Sequence, residues 1–104
     1  MTPTLQQITT IVLSVYPTAE RILLFGSRAA GNHRVDSDYD LLVVSPTRLR
    51  PARRGAALRL ALRQIDASFD IVVVTPEEFR EMSTMRSSVV STAISQGRTL
   101  HEVA

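Results

Sequence analysis

The sequence predicts an α/β fold of the α+β kind, in which helices flank a small mixed central sheet. Three apolar runs are too short to form helices and predict buried strands: Arg21–Phe25, Tyr39–Val44 and Phe69–Val74. Segments with apolar residues at helical spacing lie before, between and after these runs. The resulting order is helix, strand, strand, helix, strand, helix, helix, which is typical of a sheet covered by helices.

Two helices are predicted before the third strand. The first covers residues 4–16, where apolar side chains recur at helical spacing until Pro17 ends the pattern: Leu5, Ile8, Ile11, Val12 and Val15. The second covers roughly residues 51–65. It begins with Pro51, a favourable residue in a first turn, and its apolar positions are Leu58, Ala61, Leu62 and Ile65.

Two further helices are predicted after the third strand. Thr75 and Pro76 suit a helix start, and the acidic Glu77 and Glu78 suit its positive end, so a short helix is expected there. The last helix is predicted over about residues 85–96, with Gly97 as its stop and one apolar side formed by Val89, Val90, Ala93 and Ile94.

The connection between the second and third strands decides whether three acidic residues can lie together. It spans some two dozen residues and contains a helix, which is long enough for a crossover to a parallel neighbour. If the two strands are adjacent, Asp70 lies beside Asp38 and Asp40, because all three stand near the starts of their strands.

Composition limits the possible classes of protein. The 104 residues are predicted to form one domain, 1–104, with 44% hydrophobic and 21% charged residues and no cysteine. No apolar run approaches the length of a membrane span, and residues 1–7 do not resemble a signal sequence, so a soluble, cytoplasmic protein is expected. All twelve basic residues are arginine. The cluster Arg48, Arg50, Arg53 and Arg54 is interpreted as a solvated loop and helix start.

Asp38 and Asp40 are the first candidate site residues. Two positions apart on a strand, they point to one face, and two like charges held so close need a cation. Mg²⁺ is usually held by one or two carboxylates plus substrate phosphates, and Asp70 would add a third carboxylate. Tyr39 points to the opposite face, where packing is expected. The alternative is that the pair lies in an exposed turn, where aspartates are common.

Gly26 and Ser27 form a candidate phosphate turn directly after the first strand. Such a turn presents backbone N–H groups and a hydroxyl to an anion. A Gly-Ser pair alone is weak evidence. Together with the aspartates, the four fixed positions at roughly 5–7% each would arise by chance in about one chain in 10³ of this length.

These motifs carry a resemblance to a known family. Gly26-Ser27, a gap of ten residues, Asp38-Tyr39-Asp40 and the later Phe69-Asp70-Ile71-Val72 resemble the signature of the DNA polymerase beta-like nucleotidyltransferase superfamily. Within it, the chain is most similar to the minimal nucleotidyltransferases, over nearly its whole length and including residues 94–102. The resemblance implies ATP, two Mg²⁺ ions, and transfer of a nucleoside monophosphate with loss of pyrophosphate.

The resemblance also implies roles for individual residues. Asp38 and Asp40 would bind both metals, Ser27 and the Gly26 turn would hold the triphosphate, and Asp70 would complete the metal site and position or deprotonate the attacking hydroxyl. For Arg28 a phosphate contact and a surface role stay equally open, whereas the surface role is favoured for Arg34. One position departs from the family pattern: Ala30 stands where a second arginine is common.

The same resemblance implies a partner. The chain leaves no room for an acceptor-binding domain, and minimal nucleotidyltransferases often accompany a helical HEPN (higher eukaryotes and prokaryotes nucleotide-binding) protein. We therefore expect an antitoxin that adenylylates a tyrosine of a HEPN ribonuclease toxin, in a hetero-oligomer and without direct contact to nucleic acid or membrane. Two alternatives stay open: a binding module that neutralises its partner by contact, and a transferase for a small molecule or RNA end. A homodimer is a further open alternative, and no residue of the motifs selects a nucleotide base.

Overall fold

The computed structural model describes residues 3–86 and 88–103 of the chain. It has four strands, β1 to β4, and five helices, α1 to α5. The strands are Arg21–Phe25, Tyr39–Val44, Phe69–Val74 and Arg98–Glu102. The helices are Leu5–Val15, Gly26–Ala30, Ala56–Ala61, Pro76–Ser83 and Val89–Gln96.

The strands form one mixed sheet in the order β3-β2-β1-β4. β1 runs antiparallel to both β2 and β4, whereas β2 and β3 are parallel. The predicted fold class and the predicted crossover are therefore confirmed. In the parallel pair, Asp40 is aligned with Asp70, which brings two of the candidate acids to the same end of the sheet.

Two separate cores cover the two faces of the sheet, because neighbouring strand residues point to opposite sides. Leu41 and Val43 pack on one face with residues of α1 and α3, including Ile8 and Leu58. Leu42 and Val44 pack on the other face with α4 and α5. Asp40 has the same parity as Leu42, so its side chain belongs to the α4 and α5 face.

Side-chain caps define the starts of α1 and α4. Thr4 forms a capping box with Gln7 at the start of α1, and Thr75 forms one with Glu78 at the start of α4. In each, two backbone N–H groups that lack helical partners receive side-chain acceptors. The first helix and the short helix after Thr75 are thus confirmed. No helix among the described residues is long and apolar enough to cross a bilayer.

The second predicted helix, residues 51–65, is wrong as a continuous element. It is a 3₁₀ turn at Pro51–Arg53, the short helix α3, and a second 3₁₀ turn at Leu62–Gln64. Gly55, a poor helix former, separates the first two parts. A residue from outside the segment also fixes the backbone next to Gly55, because the Tyr16 hydroxyl donates to the carbonyl oxygen of Arg54 at 2.7 Å.

The predicted solvated arginine cluster is also wrong in one member. Arg48, Arg50 and Arg53 are exposed, but Arg54 is buried, with 7% of its surface accessible. Its guanidinium donates to the carbonyl oxygens of Leu49 and Val73 and pairs with Glu78. A buried arginine is tolerated here because its charge and N–H groups are matched.

The last helix starts later than predicted, and a strand that was not predicted follows it. The last helix starts at Val89 rather than at residue 85, because Ser88 caps it by accepting a hydrogen bond from the Ser91 N–H. Ser87, which falls within the predicted helix, lies outside the described residues. Beyond Gly97, β4 pairs with β1 and was not among the predicted elements. A strand at the edge of a sheet carries few buried residues, so its pattern is weak.

Candidate active site

Gly26 joins β1 to α2 and lies against the side chain of Asp40. Its φ of +73° belongs to the left-handed region that favours glycine. A Cβ at this position would collide with the Asp40 carboxylate and lie 3.0 Å from its Cγ. Both the backbone conformation and the lack of space for a Cβ therefore favour glycine at this position. The predicted turn and the predicted acid are therefore in direct contact, although α2, a one-turn helix that begins at the turn, was not predicted.

The three predicted acids gather at the amino ends of β2 and β3. Burial raises the pKa of Asp40 above its ordinary value of 3.8, and the negative charges of Asp70 and then Asp38 raise it further. Asp38 and Asp70 are exposed, and Asp40 is half-buried. Within the described part of the chain, none of the three forms an ion pair. Negative charge is thus concentrated at this end, and no cationic side chain of residues 3–86 or 88–103 forms an ion pair with it.

These acids fit a divalent cation in type, but they do not form a complete cage. No three His, Asp or Glu side chains among residues 3–86 and 88–103 lie close enough to surround a metal ion by themselves. Mg²⁺ is normally held by one or two carboxylates together with substrate phosphates and water. The residues present therefore suit an Mg²⁺ ion whose shell is completed by a phosphate ligand.

Ser27 and the backbone of α2 face the same end of the sheet. Ser27 is the second residue of α2 and is half-buried. Amide groups in a first helical turn have no helical acceptors and bind anions readily. The helix ends at Gly31, whose φ of +81° again suits glycine. The turn predicted from Gly26-Ser27 thus continues into one helical turn that ends before the Asp38 loop.

Arg28 contacts the protein itself. Its Nε donates to the carbonyl oxygen of Ser37 at 2.9 Å, and its Nη2 donates to that of Val35 at 3.0 Å. Its guanidinium also lies 4.0 Å from the ring centre of Tyr39. The sequence left the role of Arg28 open and gave no sign of these contacts. Arg34 is exposed, as favoured, and so is Ala30.

Tyr39 is buried on the face opposite the acids, as predicted. Its ring stacks on Phe69, with 5.4 Å between ring centres and 25° between ring planes. This contact was missed. The signal was present, however, since an aromatic residue precedes the acid at the start of both parallel strands, and equal register brings the two rings together.

Comparison with known proteins places this geometry in a family. The family model for "Polymerase beta, Nucleotidyltransferase" matches residues 6–102. No curated protein sequence matches the chain.

Solved structures share the fold. One chain of a toxin–antitoxin crystal structure with AMP-PNP superposes with a TM-score of 0.72 and 22% identity, over 97% of this chain and 75% of that one. A chain from tri-AMPylated Shewanella oneidensis HEPN toxin in complex with MNT antitoxin superposes with a TM-score of 0.61 and 20% identity, over 95% of this chain and 70% of that one. A proposed nucleotidyltransferase from Sulfolobus solfataricus superposes with a TM-score of 0.56 and 28% identity, over 73% of this chain and 68% of that one.

Proposed function

The chain belongs to the polymerase beta nucleotidyltransferase family, and we propose that it transfers the adenylyl group of ATP to a tyrosine of a HEPN ribonuclease toxin, as the antitoxin of that pair. The observation that carries the proposal is the contact of the Asp40 side chain with the Gly26 turn, beside Asp70 and Asp38. It joins a phosphate-binding element to a cation-binding element. The likeness to toxin–antitoxin structures, one containing an AMPylated HEPN toxin, supports the choice of acceptor.

In the proposed reaction, the protein mainly binds and orients. Ser27 and the first amides of α2 hold the triphosphate, and Asp38 and Asp40 hold Mg²⁺, with Asp70 completing the set. When bound, Mg²⁺ neutralises charge on the phosphates and on the leaving pyrophosphate. The acceptor oxygen bonds to the α-phosphorus, the bond to the bridging oxygen breaks, and pyrophosphate leaves. Asp70 orients the acceptor hydroxyl and takes its proton.

The exposure of the site supports a macromolecular acceptor. Asp38 and Asp70 are both exposed at the end of the sheet. A tyrosine on another protein can therefore approach them from solvent without entering an enclosed pocket. Because ATP is the proposed donor, the reaction is assigned to the cytoplasm.

A labelling experiment tests the proposal. The purified chain is incubated with ATP labelled at the α-phosphorus, Mg²⁺ and the protein encoded by the neighbouring gene, and label on that protein is measured. We expect labelling by the natural chain and none by Asp38→Asn or Asp40→Asn. Asp36→Asn is the matched control, because Asp36 is an exposed acid in the same loop. Labelling that persists in both site variants would refute the assigned chemistry.

A non-catalytic antitoxin is the second candidate function, and Ala30 is the observation behind it. A second arginine is common at this position in the minimal nucleotidyltransferases, so its absence removes one potential phosphate contact, whereas the intact Ser27, Asp38, Asp40 and Asp70 favour the transferase. The Asp38→Asn/Asp40→Asn double variant separates the two functions. Full suppression of the toxin's ribonuclease activity by this variant supports neutralisation by contact, whereas loss of suppression supports the transferase. Label transferred to a small molecule or RNA end, without any protein acceptor, would support the third reading.

A further inference from the structure

Three side chains from three elements form a stack behind the acids. The guanidinium of Arg28 lies 4.0 Å from the ring centre of Tyr39. The Tyr39 ring in turn stacks on Phe69, 5.4 Å away. Arg28 comes from the β1 side of β2 and Phe69 from the β3 side, because β2 lies between these strands. The stack therefore connects the three segments that meet at the site.

Each member of the stack is a sequence neighbour of a site residue. Arg28 follows Ser27, Tyr39 separates Asp38 from Asp40, and Phe69 precedes Asp70. Side chains alternate along strands, so Tyr39 and Phe69 pack on the face opposite Asp40 and Asp70. The stack and the acids therefore share the same short backbone segments.

Arg28 also holds the loop before Asp38. Residues 32–36 are exposed, and Val35 has 89% of its surface accessible. The loop closes on itself through the Arg34 N–H, which donates to Ser37 Oγ, and the Ser37 N–H, which donates to the Arg34 carbonyl. Among the described residues, Arg28 is the one side chain from outside 32–37 that hydrogen-bonds to this loop.

We propose that Arg28 is a positioning residue that fixes Asp38 relative to the Gly26 turn, rather than a ligand of the triphosphate. One edge of its guanidinium is occupied by the carbonyls of Val35 and Ser37, and one face by Tyr39. A planar guanidinium binds two carbonyls and stacks on a ring at once, which a lysine ammonium cannot do. The consequence for catalysis rests on the proposed function, but the ordering of the loop does not.

Hydrogen exchange on the ligand-free chain tests the structural part. The Arg34 and Ser37 amides carry the hydrogen bonds that close the loop, so their exchange reports its order. We expect Arg28→Lys and Arg28→Met to raise exchange at the Arg34 and Ser37 amides about tenfold, the size expected from losing a stacked, hydrogen-bonded cation. Tyr39→Phe keeps the ring and is the matched control, with no change expected. Unchanged protection in β1 and β2 shows that a variant is folded.

Nucleotide binding and turnover test the catalytic part. Titration with Mn²⁺ and AMP-PNP is expected to show weaker Mn²⁺ binding in Arg28→Lys, and transfer assays a fall in kcat that exceeds the rise in KM. Natural exchange in Arg28→Lys combined with weaker AMP-PNP binding in the absence of metal would identify a phosphate ligand and overturn the proposal. Faster exchange with unchanged Mn²⁺ affinity and kcat would overturn it as well. If the natural chain transfers no nucleotide, the proposed function fails, while the exchange result still decides whether Arg28 orders the loop.

Discussion

The parallel strands β2 and β3 carry a charged cluster at each end, and the two clusters are constructed in opposite ways. At the amino ends, Asp38, Asp40 and Asp70 stand together, and the pKa of Asp40 is raised by burial and by its two acidic neighbours. At the carboxyl ends, Glu78 pairs with Arg54 at 2.6 Å. The pKa of Glu78 is lowered, first by a hydrogen bond from the Thr75 backbone and then by Arg54.

The difference shows which charges the protein satisfies itself. Arg54 matches Glu78 and also covers the carbonyl oxygen of Val73 on the outer edge of β3. This cluster joins α4, β3 and the segment before α3, so its charges stabilise the fold. The aspartates receive no such partner among the described residues. Their mutual repulsion disfavours the folded chain but suits it to bind a cation.

The largest effect is expected from Asp40→Asn. Transfer should fall by about 10²–10³-fold or more, because the proposed Mg²⁺ ligand is removed, and with it the cation that would neutralise charge on the leaving pyrophosphate. The same variant should be more stable than the natural chain at neutral pH in Mg²⁺-free buffer. Labelling of the partner and urea unfolding measure the two effects.

The sign of the stability effect follows from the raised pKa of Asp40. Between 3.8 and the raised value, the folded chain binds more protons than the unfolded chain, so stability is lost as pH rises through this window. The advantage of Asp40→Asn should therefore appear above the window and vanish below it. Asp36→Asn is the control. An Asp40→Asn variant that is less stable at neutral pH would contradict the contrast between the two ends.

Arg54→Met tests the cluster at the carboxyl ends of β2 and β3. Removal of a buried cation that binds two carbonyls and a carboxylate should cost about 2–4 kcal/mol of unfolding free energy, near the lower part of the usual range because Glu78 is partly exposed. Urea denaturation gives the value. Arg53→Met, the exposed neighbour, should change stability by less than about 0.5 kcal/mol. Equal costs for the two variants would mean that the Arg54 cluster does not stabilise the fold.

Gly26→Ala tests the contact that joins the turn to the site. The positive φ and the collision with the Asp40 side chain should together cost about 1–3 kcal/mol and displace the carboxylate. Gly31→Ala is the matched control, because it has a similar φ but no atom within 4 Å of its Cβ position. We expect both variants to lose stability, but Gly26→Ala alone to lose transfer per folded molecule. Equal activity in the two would show that Asp40 tolerates displacement.

Glu78→Gln should have the smallest effect, about 1 kcal/mol or less, because the glutamine oxygen can still accept from Arg54 and the Thr75 N–H, and the lost charge is partly exposed and screened. Its pKa is lowered by folding, so its contribution is present above the ordinary value of 4.5 and lost as pH falls through the lower folded value. Urea unfolding at several pH values measures this. As pH rises, Glu78→Gln should become more destabilising and Asp40→Asn more stabilising, each relative to the natural chain. A stability change of the same sign in the two variants would contradict the comparison.

Local pattern was sufficient for the three buried strands β1, β2 and β3 and for the pairing of Asp40 with Asp70. Each buried strand is a short apolar run with clear limits, and a helical crossover makes its neighbour parallel. The break in the second predicted helix was not visible locally. It depends on Gly55 and on contacts of Arg54 with Tyr16, Val73 and Glu78, which lie 38, 19 and 24 residues away.

The proximity of the predicted acids to the predicted turn followed from the sequence, but the contacts that hold them did not. The spacing of Asp38, Asp40 and Gly26 is visible in the sequence, because a site for a cation and a phosphate would need these residue types. The partners of Arg28 are backbone carbonyls, which leave no trace in residue identity. β4 was not predicted because, as an edge strand, it has polar residues on a mostly exposed surface and therefore lacks an apolar run.

The position of β1 between β2 and β4 has a consequence for how the chain folds. Leu24, two residues before the Gly26 turn, is paired with Arg98, and a Cβ on Gly97 would lie 3.0 Å from the Leu24 carbonyl oxygen. This pairing closes a long loop, and contacts of high sequence separation are slow to form. During synthesis, β1 therefore gains its second neighbouring strand only after residues 98–102 have left the ribosome, so the Gly26 turn should become fully supported with that pairing and not with β1, β2 and β3 alone.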